Sequence, residues 1–278
     1  MPLDFDALAG VPPYPPAGKA AIVTGGSSGI GRSTALALHR AGWSVCITAR
    51  RAEALEETLR LMRAQPGSAD GSAQALKATS FAGDITSEET VLALFKHAYE
   101  QLGQIDLVFC NAGVSTAAVP LFDLPLADWN KAVSTNLTAT FLCAREAFRY
   151  MSPERGGKGG RIIVNGSISA AVPRPHSAPY TASKHGCTGL TKSLALDGRA
   201  HNIAVSQIDI GNASSDMTER MRTGPGVMQA DGSLRQEPVM DREHAAREVV
   251  HIAEMPLSVN VQFVTIQATK MPSMIGRG

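Results

Sequence analysis

Tyr180 and Lys184 stand four residues apart in Tyr180-Thr-Ala-Ser-Lys184, and Ser167 lies thirteen positions ahead of Tyr180. On a helix that spacing puts a phenol and an ammonium on one face. A free phenol titrates near ~10. A fixed positive charge beside it favours phenolate, which makes tyrosine a usable acid or base near neutral pH. The same spacing arises often by accident. It becomes chemistry only if the chain also supplies a cofactor, a hydrogen-bond donor and a pocket.

A cofactor site is written near the N-terminus. The apolar run Lys19–Thr24 reads as a buried parallel strand. Gly25-Gly-Ser27-Ser28-Gly29-Ile30-Gly31 follows, then an Ala/Leu-rich helix from Arg32 to Ala41 that Gly42 closes. Strand, glycine turn and helix form the context in which a backbone can cradle a pyrophosphate at a helix start. The second strand, Trp43–Thr48, ends in Ala49-Arg50-Arg51. A carboxylate there would read a ribose 2′-hydroxyl. Arg50 and Arg51 instead suit a 2′-phosphate, so NADP(H) is favoured over NAD(H).

Further elements alternate along the chain. A helix is expected over Glu53–Arg63, a polar loop over Gln65–Ser72 and a third strand over Ala75–Phe81. Asp84 follows, placed to meet an adenine at the strand end or to cap the helix Ser87–Leu102. Strand Ile105–Cys110 ends in Asn111-Ala112-Gly113, small enough for the backbone to pass beside a dinucleotide. The next helix, Leu126–Met151, contains Asn136 in apolar surroundings; buried there it must do chemistry or satisfy local backbone. Strand Arg161–Asn165 leads to Ser167. The Tyr180 helix runs to about Ala200, and strand Asn202–Ile208 follows. Residues 211–240 are irregular and carry Met217, Met221 and Met228, which suit a substrate lid. Helix Asp241–Glu254 and strand Asn260–Ile266 complete the pattern. With no dividing linker, it describes one α/β domain over 18–278, a doubly wound parallel sheet with helices on both faces, after a Pro-rich extended arm at 1–17.

Bulk properties narrow the function classes. The 278 residues are 44% hydrophobic and 18% charged, with net charge +1. That fits a globular core and gives no electrostatic case for nucleic acid or an acidic membrane surface. Cys46, Cys110, Cys143 and Cys187 form no CxxC pair, so neither a zinc site nor a disulfide scaffold is expected. The opening Met1-Pro-Leu-Asp-Phe-Asp lacks signal-peptide character, and no apolar run reaches about 18 residues. A cytoplasmic location is the default expectation.

Taken together, Thr24-Gly25-xxx-Gly29-x-Gly31, Asn111-Ala112-Gly113, Asn136, Ser167 and Tyr180-xxx-Lys184 resemble the short-chain dehydrogenase/reductase family over roughly residues 18–268. The resemblance implies a seven-stranded sheet in order 3-2-1-4-5-6-7, a nicotinamide cofactor and a homo-oligomer, a tetramer or dimer. It implies Tyr180 as proton donor or acceptor, Lys184 as its electrostatic partner and holder of the nicotinamide ribose, and Ser167 as donor to the substrate oxygen. Asn136 would fix a water in a relay from Lys184. Gly25, Ser27, Ile30, Arg50, Asp84, Ile85 and Asn111 would line the cofactor, with Gly211 beside the nicotinamide. Ser169, Arg174, His176, residues 211–216 and the 217–240 loop would form the substrate end. Two features depart from the family. Asp209-Ile210-Gly211-Asn212 stands where Pro-Gly is usual, which removes a rigid element, and no Asp-Gly-Gly follows the last strand.

The resulting expectation is hydride transfer between nicotinamide and a small carbonyl or alcohol. A 3-oxoacyl thioester reductase is a second reading, with Arg174, Arg220 and Arg222 as its basic patch. A non-catalytic dinucleotide sensor is a third, disfavoured because Tyr180 and Lys184 are both present.

Overall fold

The computed structural model describes residues 18–65, 76–215, 218–219 and 224–271. The expected arm, Met217, Met221, Arg220 and Arg222 lie outside these residues. Seven strands form one sheet: β1 (Ala20–Thr24), β2 (Ser44–Ala49), β3 (Ala78–Ala82), β4 (Leu107–Cys110), β5 (Gly160–Asn165), β6 (Ile203–Ile210) and, after a small hairpin, β9 (Phe263–Ile266). Their order is β3-β2-β1-β4-β5-β6-β9, and the pairings are parallel. This is the expected order, with β9 as the seventh strand.

Helical crossovers between the parallel strands cover both faces of the sheet, so apolar residues are buried on each. Ile22, Cys46, Val108, Ile162 and Val205 point to one side, where α3 (Glu88–Leu102) and α5 (Ala139–Met151) pack. Ala21, Val23, Val45, Ile47, Phe109, Ile163 and Ile208 point to the other, against α1 (Gly29–Arg40), α2 (Ala52–Arg63) and α7 (Arg242–Glu254). The two-residue period of a strand produces this division. All four cysteines are free and buried, and burial pushes the Cys46 and Cys143 thiols up to about 12. They are core residues, not nucleophiles. No described helix is long and apolar enough to cross a membrane.

Several boundaries differ from the sequence reading. The glycine-rich helix begins at Gly29, so Gly29, Ile30 and Gly31 form its first turn. Ser87, not Asp84, caps α3, its Oγ accepting from the Thr90 amide at 3.3 Å. The expected helix Leu126–Met151 is α4 (Leu126–Val133), a π-helical turn (Ser134–Thr138) and then α5. Helix α6 spans Ala178–Asp197 and ends in a short 3-10 turn. Strand β6 runs two residues past its expected end, which places Asp209 inside the sheet. Strand β9 is three residues shorter at its start than expected. The irregular stretch contains an antiparallel hairpin, β7 (Val227–Met228) with β8 (Leu234–Arg235).

The edge strand is fastened by a buried cation. Arg161 on β5 is 2% exposed. It donates to Met255 O, Pro256 O and Val259 O at 3.2, 3.2 and 2.8 Å, and to Asn260 Oδ1 at 3.1 Å. These acceptors form the turn between α7 and β9, so the charge is solvated by the oxygens of that turn. Arg161→Met removes the guanidinium donors from this turn. We expect it to lower unfolding free energy by about 3 kcal/mol, measured as a reduced urea midpoint with an unchanged slope.

Candidate active site

The C-terminal ends of β1, β2, β4, β5 and β6 open into one cavity of about 950 Å³. Its phosphate end is built by close backbone approach. Gly25 has φ +69°, and a Cβ there would lie 2.9 Å from Asn111 Nδ2 and 3.0 Å from Ala112 Cα. A Cβ on Gly31 would lie 2.3 Å from Gly25 O. Only glycine permits this contact. Thr24 Oγ1 accepts from the Asn111 and Ala112 amides at 2.9 and 3.0 Å, and Asn111 Nδ2 donates to Thr24 O at 2.9 Å. Ser28 stands at the N-cap of α1 but its side chain makes no capping hydrogen bond. The helix start, with its dipole, therefore faces the cavity uncapped by Ser28. Arg32 holds the turn from behind, its Nη2 donating to Ser27 O at 2.5 Å and its Nε to Thr58 Oγ1 at 3.0 Å.

All of the expected cofactor residues line this cavity: Gly25, Ser27, Ser28, Gly29, Ile30, Gly31, Arg50, Arg51, Asp84, Ile85, Asn111, Ala112 and Gly113, with Gly211 at the far end. Arg50 and Arg51 are exposed at the rim beyond β2, and Arg51 is also the N-cap residue of α2. The Thr86 amide holds the Asp84 carboxyl below its ordinary range, helped by the Thr86 hydroxyl and Arg50. Asp84 Oδ1 accepts from both Thr86 groups, at 3.0 and 2.9 Å.

Chemistry-bearing side chains converge at the middle of the cavity. Ser167, Tyr180 and Lys184 line it together. Lys184 is 4% exposed. Its Nζ donates to Asn165 O at 2.6 Å and stands 5.7 Å from the Tyr180 ring centroid. The helical spacing does bring ammonium and phenol together. Ser167 Oγ accepts from the Ser169 amide at 3.1 Å, which leaves its hydroxyl proton for another acceptor.

Asn136 does not line the cavity; it braces the wall behind it. In the π turn, its Oδ1 accepts from the Val114 amide at 2.8 Å. Its Nδ2 donates to Val114 O and Ser183 Oγ, both at 3.0 Å. The side chain thus satisfies backbone, though that of the loop after β4, 22 positions away, rather than its own local segment. Single π turns occur often at functional sites, and this one rotates Asn136 toward the loop after β4.

At the substrate end, Ser169, Arg174, His176, Asn212, Ala213 and Ser215 line the cavity, joined by Val227, Met228 and Leu234 of the hairpin. Asp216 lies outside the described residues. His176 has φ +57°, a strained conformation for a non-glycine residue. Arg174 is ion-paired with Glu237, which is 7% exposed. Glu237 also accepts from Asn212 Nδ2 at 2.8 Å and Gln229 Nε2 at 3.0 Å. Sequence reasoning missed Glu237, Arg32, Asn165 and Ser183, whose partners Arg174, Thr58, Lys184 and Asn136 lie 19 or more positions away.

Comparison with known proteins gives the family. A family model described as short chain dehydrogenase matches residues 19–226. The chain belongs to the short-chain dehydrogenase/reductase family. Gluconate 5-dehydrogenase of Gluconobacter oxydans (strain 621H) is 35% identical over 204 residues, 73% of this chain and 75% of that protein. A short-chain type dehydrogenase/reductase from Mycobacterium marinum superposes with TM-score 0.75 at 27% identity, covering 90% of this chain and 94% of its own. An alcohol dehydrogenase from the archaeon Thermococcus sibiricus, solved with 5-hydroxy-NADP, shares the fold. It has TM-score 0.74 at 19% identity, over 91% of this chain and 97% of its own. The protein is accordingly an oxidoreductase of this family, whose members use a nicotinamide dinucleotide on alcohols and carbonyls.

Truncating Asn136 tests the bracing role. Asn136→Ala leaves both polar groups of Val114 and the Ser183 hydroxyl without that partner. We expect a loss of about 2–3 kcal/mol in stability, read by urea denaturation of the cofactor-free protein. Unchanged stability would show that the bracket is dispensable.

Proposed function

We propose that the protein is an NADP(H)-dependent oxidoreductase that interconverts a carbonyl compound and a secondary alcohol, with Tyr180 as proton donor in reduction and acceptor in oxidation. The observation that carries this reading is the meeting of Ser167, Tyr180 and Lys184 in the same cavity as the glycine turn. The dinucleotide fits the residues present. The Gly25 and Gly31 backbone is kept bare by contacts that exclude a Cβ, the start of α1 suits a pyrophosphate, and Arg50 and Arg51 stand at the rim where a 2′-phosphate would sit. When bound, nicotinamide supplies or receives the hydride.

The chain's own groups handle the oxygen and its proton. Ser167 donates its hydroxyl hydrogen to the substrate oxygen, stabilising the charge that develops there. Tyr180 delivers the proton, and the ammonium of Lys184 stabilises the phenolate that remains. Lys184 would also hold the nicotinamide ribose. Asn136 keeps the Val114 loop and Ser183 in place; a relay water would use the remaining lone pair of its Oδ1. The relative named gluconate 5-dehydrogenase supports a hydroxylated substrate class. The thioester reading loses support because Arg174, proposed for its basic patch, is paired with Glu237.

Two experiments test this reading. Tyr180→Phe should retain NADPH binding, followed by nicotinamide fluorescence, while turnover of a carbonyl identified in a ketone and aldehyde screen falls about 100-fold or more. Unchanged turnover would remove Tyr180 from the mechanism. Arg50→Ala with Arg51→Ala should weaken NADPH about tenfold or more while leaving NADH nearly unaffected. Equal losses for both would overturn the 2′-phosphate assignment.

A further inference from the structure

Asp209 occupies an unusual place. It is a half-buried carboxylate inside β6, at the cavity end of a parallel sheet whose other residues there are apolar or neutral. Its Oδ1 accepts from the Ser167 amide at 2.9 Å and from Gln207 Nε2 at 2.8 Å. Both partners donate, as an ionised carboxylate requires. Gln207 is itself buried. Its Nε2 also donates to Thr188 Oγ1 at 2.9 Å, and its Oε1 accepts from Thr191 Oγ1 at 3.1 Å. The carboxylate is therefore fixed to the turn after β5 and, through Gln207, to α6. The approach is so close that a Cβ on Gly166 would lie 2.1 Å from Asp209 Oδ1.

We infer that Asp209 is a positioning and charge-balancing residue, which seats the Ser167 turn and serves as counter-charge to Lys184, so that Tyr180 keeps its proton to higher pH. The inference rests on the proposed acid role of Tyr180 and deepens it. Lys184 Nζ is held on Asn165 O at 2.6 Å, two residues before the Ser167 amide that Asp209 Oδ1 accepts, so ammonium and carboxylate flank the same three-residue turn. From α6, Cys187 also feels both charges, but burial holds its thiol protonated. From β9, the residue paired with Asp209 is the neutral Thr265, and from the turn after β5 the contact is the Ser167 amide. An ammonium alone beside Tyr180 would favour phenolate; a carboxylate near the same ammonium offsets that pull. The site is thereby biased toward the proton-bearing phenol that carbonyl reduction needs.

Holding this charge costs the fold. Burial pushes the Asp209 carboxyl above its ordinary range, against the Gln207 and Ser167 hydrogen bonds and the Lys184 charge. A raised folded-state value means the folded chain binds more protons between the unfolded and folded values. Stability falls as pH rises through that interval and stays lower above it. Asp209→Asn keeps an oxygen acceptor for both N–H donors and should melt no lower than wild type at neutral pH.

The test is direct titration of Tyr180, which needs no substrate and no cofactor. The chain has four tyrosines. Subtracting the tyrosinate absorbance of Tyr180→Phe from that of the full-length wild type isolates the Tyr180 curve. The same subtraction is made with Asp209→Asn and the Asp209→Asn/Tyr180→Phe double variant. The expected result is a Tyr180 midpoint lower by on the order of one pH unit without the carboxylate. Coincident curves, or a shift upward, would overturn the inference. Asp209→Ser removes the charge with a smaller polar side chain and carries the same expectation if the Asn variant folds poorly. Failure to find a reducible carbonyl would count against the proposed activity and leave this titration readable. Where such a carbonyl is found, the pH profile of reduction should move with the midpoint.

Discussion

The structure of the site depends on one buried charge. Lys184 is 4% exposed, and an ammonium so placed must be solvated by the protein. Asn165 O, at the end of β5, does this at 2.6 Å. The bond ties α6 to the end of β5. It brings Tyr180, one turn ahead on the helix, to Ser167, two residues beyond Asn165. Small residues make room for the arrangement. A Cβ at Gly113 would lie 3.3 Å from Asn136 Oδ1 and 3.9 Å from Lys184 Nζ. Placing a charge here thus constrains its neighbours on the β4 loop and at the end of β5.

The same strand end links the chemical and phosphate ends of the cavity. Asn165 Nδ2 donates to Asn111 Oδ1 at 2.9 Å, and Asn111 Nδ2 donates to Thr24 O, also at 2.9 Å. Thr24 leads directly into Gly25, whose position is set by Asn111. The hydrogen-bond chain crosses β5, β4 and β1, neighbours in the sheet. A cofactor seated on the glycine turn and an oxygen held at Ser167 would therefore be registered by one rigid framework rather than by two loops.

What was legible in the sequence was whatever had a local period or a local spacing. Buried strands, the turn at Gly25–Gly31 and the Tyr180–Lys184 face are all features of neighbouring residues, and the strand order came with the family resemblance. Contacts distant in sequence were not legible. Asn136 could be read as catalytic or structural, and only its distance to Val114 shows how its amide is spent. The π turn that aims it is a change of hydrogen-bond register, which an apolar pattern of helical period does not reveal. The hairpin of β7 and β8 has two-residue strands, too short for any alternation to register. The roles of Arg161 and Glu237 were not legible either, because the groups that compensate their charge lie mostly in other parts of the chain.

The missing proline after β6 shows how rigidity can be supplied by another route. A proline would fix one backbone angle at position 210. Here β6 simply continues: Ile210 pairs with Ile266, and the Gly211 amide donates to Ile266 O at 2.9 Å. Gly211 must be small because β9 ends against it; a Cβ would lie 2.7 Å from that of Gln267 and 3.0 Å from Met271 Sδ. Met271 is buried there, so the described part of the tail packs on this loop. One residue on, Asn212 is clasped by Glu237 and by Arg174. The clasp joins the loop after β6, the segment before α6 and the end of the hairpin. Since Arg174 and Glu237 neutralise one another, the hairpin closes over the substrate end through Val227, Met228 and Leu234 while the clasp adds little net charge. The compensated pair thus holds the shape of this end, where Ser169, His176 and Ser215 line the cavity beside the apolar hairpin residues.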